Sequence, residues 1–402
     1  MKIKNLFSLI FLLTAGAELA IGRIYDDRLS IYGVNLSIVI SLFFFITSII
    51  LLSSIKKIIL NKTKIVLFSF FMSLLIINPI LWSIYGAYEY GIAKFFNFIF
   101  ITIPISLIIL EKFKYDDVKN LFIILLGVVF LLLFFAVTGL FETPRPDGRI
   151  SILGGGPIVF GRWMGVGVLT LFFLPIRRKY LIRLVFILIF VIYCLVSGSR
   201  GPFTALFLTF IFYFFLNFRR IFLRLSILLI FLSAVFFSTN ISKDISELGR
   251  MDRVFLNVAK RGGSSQSTQT RYELAERSYD LMLNYPFGVG AGNWQLKANQ
   301  YNPSHLMAHE YPHNLIFEII NEYGVLIGIL LFLFILYVSY ISFAKMKNQY
   351  NNKASLYPFL FYLWMFLVLN AMLSGSLNDS RLLFITACCI LITNPLIIKE
   401  DE

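Results

Sequence analysis

Charge is scarce in this 402-residue chain. Only 14% of its residues are Asp, Glu, Lys or Arg, where an average soluble domain carries about 25%. That shortfall excludes a soluble multidomain enzyme. Cysteine is scarcer: Cys194, Cys388 and Cys389 all lie inside apolar runs, so they offer neither a disulfide framework nor a thiolate metal site. The three histidines, His305, His309 and His313, stand four residues apart in one short stretch. Neither a fixed-period repeat nor a run of heptads occurs.

What fills the chain is hydrocarbon: 58% of residues are hydrophobic, 44 are Phe, and mean hydropathy is +0.80. Runs close to the ~20 residues that cross a bilayer recur almost throughout. Twelve segments can be placed, near residues 5–22, 35–54, 65–85, 91–110, 120–140, 157–176, 183–197, 203–218, 222–239, 313–343, 355–373 and 382–398. The expectation is an all-α integral membrane protein of about 12 transmembrane helices, with residues 1–402 forming a single polytopic domain. Residues 1–22 have the basic start and apolar core of a signal peptide. No small-x-small cleavage site precedes Arg23, so they are read as a retained first helix.

Alternation of the connections sets the orientation. Lys56, Lys57, Lys62, Lys64, the run 177–179, Arg219, Arg220, Lys345 and Lys347 fall on one side, which the positive-inside rule makes cytoplasmic, together with both termini. The 36 basic residues divide into 14 Lys and 6 Arg inside and 4 Lys and 12 Arg outside. Helix anchoring thus accounts for much of the +14 net charge, and no nucleic-acid partner is expected. The external excess of arginine needs another reason. Arg149, Arg162, Arg200 and Arg381 fall at or just above membrane depth, where a cation costs ~2.5 to 3.5 kcal/mol. A salt bridge within the same layer would explain any one of them; a planar fork that binds phosphate bidentately would explain the set.

The one long hydrophilic segment, residues 239–312, lies outside by the same alternation. Its first part, around the Gly/Ser/Gln-rich residues 261–269, reads as a mobile loop. A helix is expected from Thr270, with Thr270 as N-cap and Glu273 completing a capping box, lying across the external mouth and ending before Pro286.

Several motifs invite chemistry. His309-Glu-Tyr-Pro-His313 fits the zinc pattern H-E-x-x-H, which needs both imidazoles on one face of an unbroken helix. Pro312 has no N–H and forces Tyr311 out of the helical region, so the expected helix starts at Pro312 with His313 in its first turn, and no metal is expected. Gly288-Val-Gly-Ala-Gly-Asn follows no strand, and reads as a turn that brings backbone close to a substrate or another helix. The turn 154–157, Gly-Gly-Gly-Pro, opens the sixth span, and its N–H groups could hold an anion or merely make a tight re-entry. Residues 197–202, Ser-Gly-Ser-Arg-Gly-Pro, hold Arg200 near the mouth between closely packed helices. In residues 374–381, Asp379 and Arg381 are expected to pair with each other. Glu318 and Glu322, at i and i+4, share an inward face. Gly324 and Gly328 form a close-packing G-x-x-x-G.

Ser197-Gly-Ser-Arg200, Arg271 heading an external helix, Pro286-Phe-Gly-Val-Gly-Ala-Gly-Asn, and His313-Asn followed by Glu322-x-Gly-x-x-x-Gly together resemble the O-antigen ligase and polymerase superfamily over about residues 150–390. Residues 374–381 are more similar to the polymerase branch than to the ligase branch, so a polysaccharide polymerase is the expected activity and an O-antigen ligase the alternative. The resemblance implies a GT-C-like glycosyltransferase of the bacterial plasma membrane that needs no metal and no cofactor, with an extracytoplasmic loop subdomain and an active site on the outer face. Its donor would be an oligosaccharide on undecaprenyl pyrophosphate. The acceptor would be the non-reducing end of another lipid-linked repeat in a polymerase, or lipid A core in a ligase. His313 would be the catalytic residue and Arg200 and Arg271 the pyrophosphate clamps. Arg162 and Arg149 are weaker candidates for clamps, and Glu318, Glu322, Asp379 and Arg381 would give support. The expected partners are the lipid-linked oligosaccharide, the bilayer and a chain-length regulator or flippase. The rival from another class is a transporter of lipid-linked sugar, which would show repeats and midplane charges that this sequence lacks.

Overall fold

The computed structural model describes residues 3–31, 33–55, 62–143, 149–153, 155–175, 180–217, 264–299, 311–349, 352 and 355–392. Helices account for nearly all regular structure: α1 (Ile3–Ile21), α2 (Leu36–Ser53), α3 (Lys62–Tyr85), α4 (Glu89–Lys112), α5 (Tyr115–Thr138), α6 (Pro157–Phe173), α7 (Tyr180–Val196) and α8 (Arg200–Leu216). There follow α9 (Ser264–Asn284), α10 (Trp294–Asn299), α11 (Leu315–Tyr323), α12 (Val325–Asn348), α13 (Tyr357–Ser374) and α14 (Arg381–Ile392). The described strands are β1 (Ser30–Ile31) and β2 (Val34–Asn35), an antiparallel hairpin too small to alter the all-α class.

Six of these helices are long and apolar enough to cross a membrane, and α1, α6, α7 and α8 are apolar but shorter. The protein is a multi-pass membrane protein. Its exterior confirms the solvent: Leu42, Ile76, Phe134 and Phe332 are all exposed, which is costless in lipid and prohibitive over so wide a belt in water. The expected ninth span, residues 222–239, lies outside the described residues.

Packing follows membrane logic, in which small and polar residues rather than oily ones mark the inward face. On α2 the buried residues are Ser37, Ser41, Phe44, Thr47 and Ser48, while Leu42, Phe43, Ile46 and Ile49 face outward. Helix α6 is buried on every side from Phe160 to Leu171. Gly165 and Gly167 admit the rings of Phe366 and Phe190, which a methyl at either position would strike. Cations close several helix ends, as the helix dipole favours. Arg183 donates to the carbonyl of Leu171 (2.8 Å from Nε) at the end of α6, and Lys345 to that of Ile390 (2.7 Å) near the end of α14.

Three expectations are corrected. Helix α9 begins at Ser264, so Thr270 lies inside it as no N-cap, and residues 264–269 are helical rather than loop; residues 261–263 lie outside the described residues. The long tenth span is two helices, α11 and α12, broken at Gly324. Helix α11 starts at Leu315, not Pro312. Asn314 is its N-cap and accepts from the N–H groups of Ile316 (3.0 Å) and Phe317 (3.2 Å), so the helix is nucleated one residue after His313.

Candidate active site

His313 stands between Pro312 and the Asn314 cap with φ 55°, in the left-handed region that non-glycine residues seldom occupy without a surrounding structure that enforces it. Two contacts enforce it here. The Asn314 side chain also donates to the carbonyl of Met372 (3.0 Å), anchoring the cap to the end of α13. The His313 ring lies 4.1 Å from that of Tyr311. Its Nδ1 is buried with no hydrogen-bond partner among the described residues. Residues 311–314 are not helical, so no helix carries His313 back toward residue 309. His305, His309 and Glu310 lie outside the described residues.

The arginines approach from three helices and, for Arg149, from the stretch before α6. Arg271, on α9, donates to the hydroxyl of Ser374 (3.3 Å) at the end of α13. Gly201 packs so closely on Ser374 that a side chain there would collide with the hydroxyl, which brings the exposed Arg200 at the head of α8 alongside. Arg149 lies over Gly198, whose φ of 68° and missing side chain leave room for it; a Cβ there would be 3.0 Å from its Cγ. Arg162, buried on α6, donates from Nη1 to the carbonyl of Asp379 (2.5 Å), while its Nε and Nη2 have no partner among the described residues. Gly154 lies outside the described residues. Gly156 stands as the N-cap of α6 with Pro157 following it, one turn before Arg162.

The charges act on one another. Burial pushes the His313 imidazole down to about 4, Arg271 adds to that push, and Asp379 opposes it. Burial likewise draws the Arg271 guanidinium below the ordinary arginine range; Tyr311 opposes this and Arg200 reinforces it. The Tyr311 phenol is pushed up, by burial first and then by Asp379, so it remains a hydroxyl donor. The result is a cationic mouth around a neutral imidazole, a fixed field suited to an anion that forms during reaction.

Asp379 and Arg381 do not form the expected pair. Arg381 turns the other way, donating from Nη1 to Asn378 Oδ1 (2.6 Å) and the carbonyl of Gly22 (3.3 Å) and from Nη2 to that of Leu19 (3.4 Å), so it closes the end of α1. Glu318 and Glu322 do face inward, but both are engaged by Lys94, buried on α4. The sequence reading passed over Lys94, although a lone lysine in an apolar helix, opposite two acids in another, is itself a signal. The turn 288–293 approaches other parts of the chain. The N–H groups of Val289 and Gly290 donate to the carbonyls of Asn321 (3.0 Å) and Glu322 (2.8 Å), and that of Ala291 to Asn78 Oδ1 (2.8 Å).

A family model described as O-antigen ligase matches residues 184–333. The match runs from α7 into α12 and takes in Arg200, Arg271, His313, Glu318 and Glu322, whereas Arg149, Arg162, Asp379 and Arg381 fall outside it. That stretch, less than half of the chain, is similar to the O-antigen ligase family, and it lies in a chain with six helices long and apolar enough to cross a membrane. Among curated proteins none matches the chain.

Proposed function

We propose that the protein transfers a glycan from undecaprenyl pyrophosphate to an acceptor hydroxyl at the extracytoplasmic mouth where His313, Arg271 and Arg200 meet, with both termini in the cytoplasm. The observation that carries this reading is the convergence of a neutral imidazole with arginines from α6, α8 and α9, the last two elements lying within the stretch matched by the family model. The acceptor oxygen attacks the anomeric carbon, the bond from that carbon to the pyrophosphate oxygen breaks, and undecaprenyl pyrophosphate leaves with the electron pair. His313 takes the acceptor proton. Arg200 and Arg271 meet the charge that develops on the leaving group, with Arg162 and Arg149 behind them. Asp379 faces His313 and steadies the imidazolium once it forms.

The description of the matched family favours the ligase reaction, transfer to lipid A core. The polymerase reaction rests on the resemblance of residues 374–381 alone. The surface glycan of a deletion strain separates the two on a gel: long unattached lipid-linked chains indicate a lost ligase, and single-repeat capping a lost polymerase. An unchanged glycan profile would sink both. Transfer by the purified protein should survive EDTA. Loss in EDTA with recovery on adding zinc would instate the His309/His313 site in place of this mechanism.

A further inference from the structure

Lys94 lies in the second turn of α4, 4% exposed, and the mechanism above leaves it without a role. Its ammonium pairs with Glu318 and with both carboxylate oxygens of Glu322 (2.8 and 2.7 Å). Each acid in turn holds a backbone N–H. Glu318 Oε2 accepts from Leu377 (2.7 Å), and Glu322 Oε1 accepts from Gly292 (2.9 Å). One ammonium therefore joins α4, α11, the glycine turn and the loop after α13.

Two of those attachments lead to His313. Leu377 lies two residues before Asp379, whose carbonyl holds Arg162 and whose carboxylate acts on His313. Glu318 lies in the first turn of α11, and its own N–H donates to the carbonyl of Asn314, next to His313 (3.0 Å). Packing alone does not account for the triad, since well-packed apolar residues usually join helices as well as a buried ion pair does. What the charges add is fixed acceptors for the N–H groups of Leu377 and Gly292, which no helix or strand hydrogen bond takes up.

We propose that Lys94 is a positioning residue for the transfer: through Glu318 and the Leu377 amide it holds the Asp379 turn against His313, and it does so without touching the donor pyrophosphate. The inference rests on the glycan-transfer reading. The ionisable groups that face Lys94 are Glu318, Glu322 and Tyr323 from α11 and Tyr90 from α4, with Asp379 within reach of Tyr90.

The test compares Lys94→Met, Lys94→Arg and Lys94→Met/Glu322→Gln, each checked for folding by its thermal midpoint. In Lys94→Met two carboxylates face each other without a cation and the Leu377 contact opens, so kcat should fall by about 100-fold, the cost of a ~1 Å misplacement. Donor KM should stay unchanged. Part of the loss should return at lower pH, where the acids take up protons. The double variant removes the repulsion with the cation and should regain most of kcat, and Lys94→Arg should retain more than Lys94→Met. If Lys94→Met does not fold, the double variant decides. Wild-type kcat in a folded Lys94→Met, a rise in donor KM as large as the fall in kcat, or a double variant as inactive as the single one at every pH overturns the proposal. A second measurement needs no turnover: the rate at which diethyl pyrocarbonate modifies His313, followed by peptide mass spectrometry, should change in Lys94→Met. An unchanged rate overturns the Lys94 role even where wild type transfers glycan. A wild type that transfers none defeats the functional reading instead, and the modification rate still decides about Lys94.

Discussion

On the proposed mechanism His313 and the arginines around it carry different parts of the reaction, so their losses should look different. His313→Ala should leave donor binding intact and lower kcat by ~100 to 10,000-fold, the usual range for a general base. Arg200→Ala or Arg271→Ala should weaken donor binding too, each contact being worth ~1.5 to 3 kcal/mol, and lysine should rescue poorly because a point charge cannot replace the fork. Donor affinity and product formation at matched expression check both. The direction of the His313 shift adds a pH signature. In the free enzyme burial and Arg271 hold the imidazole neutral down to about 4, so the acid limb of kcat/KM should lie well below that of an ordinary histidine. Bound pyrophosphate offsets Arg271, so the acid limb of kcat, which reports the complex, should move up toward the ordinary value. An acid limb of kcat/KM at or above the ordinary histidine range would remove His313 as the base.

The break between α11 and α12 is the element on which the mouth depends. Gly324 has φ 94° and ψ 161°, a conformation reserved almost wholly for glycine. A Cβ there would come within 2.8 Å of the Phe287 backbone, and one at Gly288 within 2.6 Å of the Gly324 nitrogen. The N–H of Val325 donates to the carbonyl of Pro286 (2.9 Å), so the glycine turn splices into the broken helix. Gly324→Ala should therefore cost ~1 to 3 kcal/mol in backbone strain, with more from the collision, and lower both thermal midpoint and activity. A midpoint equal to that of wild type would show that the splice is not what sets the angle between the two helices. The pair Gly324 and Gly328 was visible in sequence as a helix-packing motif, yet only Gly328 is used so, against Ile320; Gly324 ends one helix and begins the next.

At the scale of the whole molecule the orientation is open to direct measurement. With Cys194, Cys388 and Cys389 replaced, all three buried, Asp280→Cys on α9 should react with a membrane-impermeant thiol reagent in intact cells. Asn348→Cys at the end of α12 should react only after lysis. Labelling of position 348 from outside would invert the topology and place the mouth in the cytoplasm, where an undecaprenyl-linked donor awaiting polymerisation or ligation would not meet it.

Hydropathy, a property summed over some twenty residues, was enough to reveal a multi-pass helical membrane protein, and the arginine excess on one side was enough to suggest an anionic substrate there. The roles expected of His313, Arg200 and Arg271 came from the resemblance to the O-antigen ligase and polymerase superfamily, not from residue type or spacing. Pairing was another matter. Arg381, two residues from Asp379, bonds Asn378 and the end of α1 instead; Lys94 and Glu322, far apart in sequence, form an ion pair. Local spacing cannot anticipate such choices, since a buried charge takes whichever partner the helix packing brings within reach. Where α11 begins was likewise decided by a tertiary contact. The cap at Asn314 succeeds because Met372 fixes its side chain from another helix, and the capping box at Thr270 is overridden because the helix already runs through it.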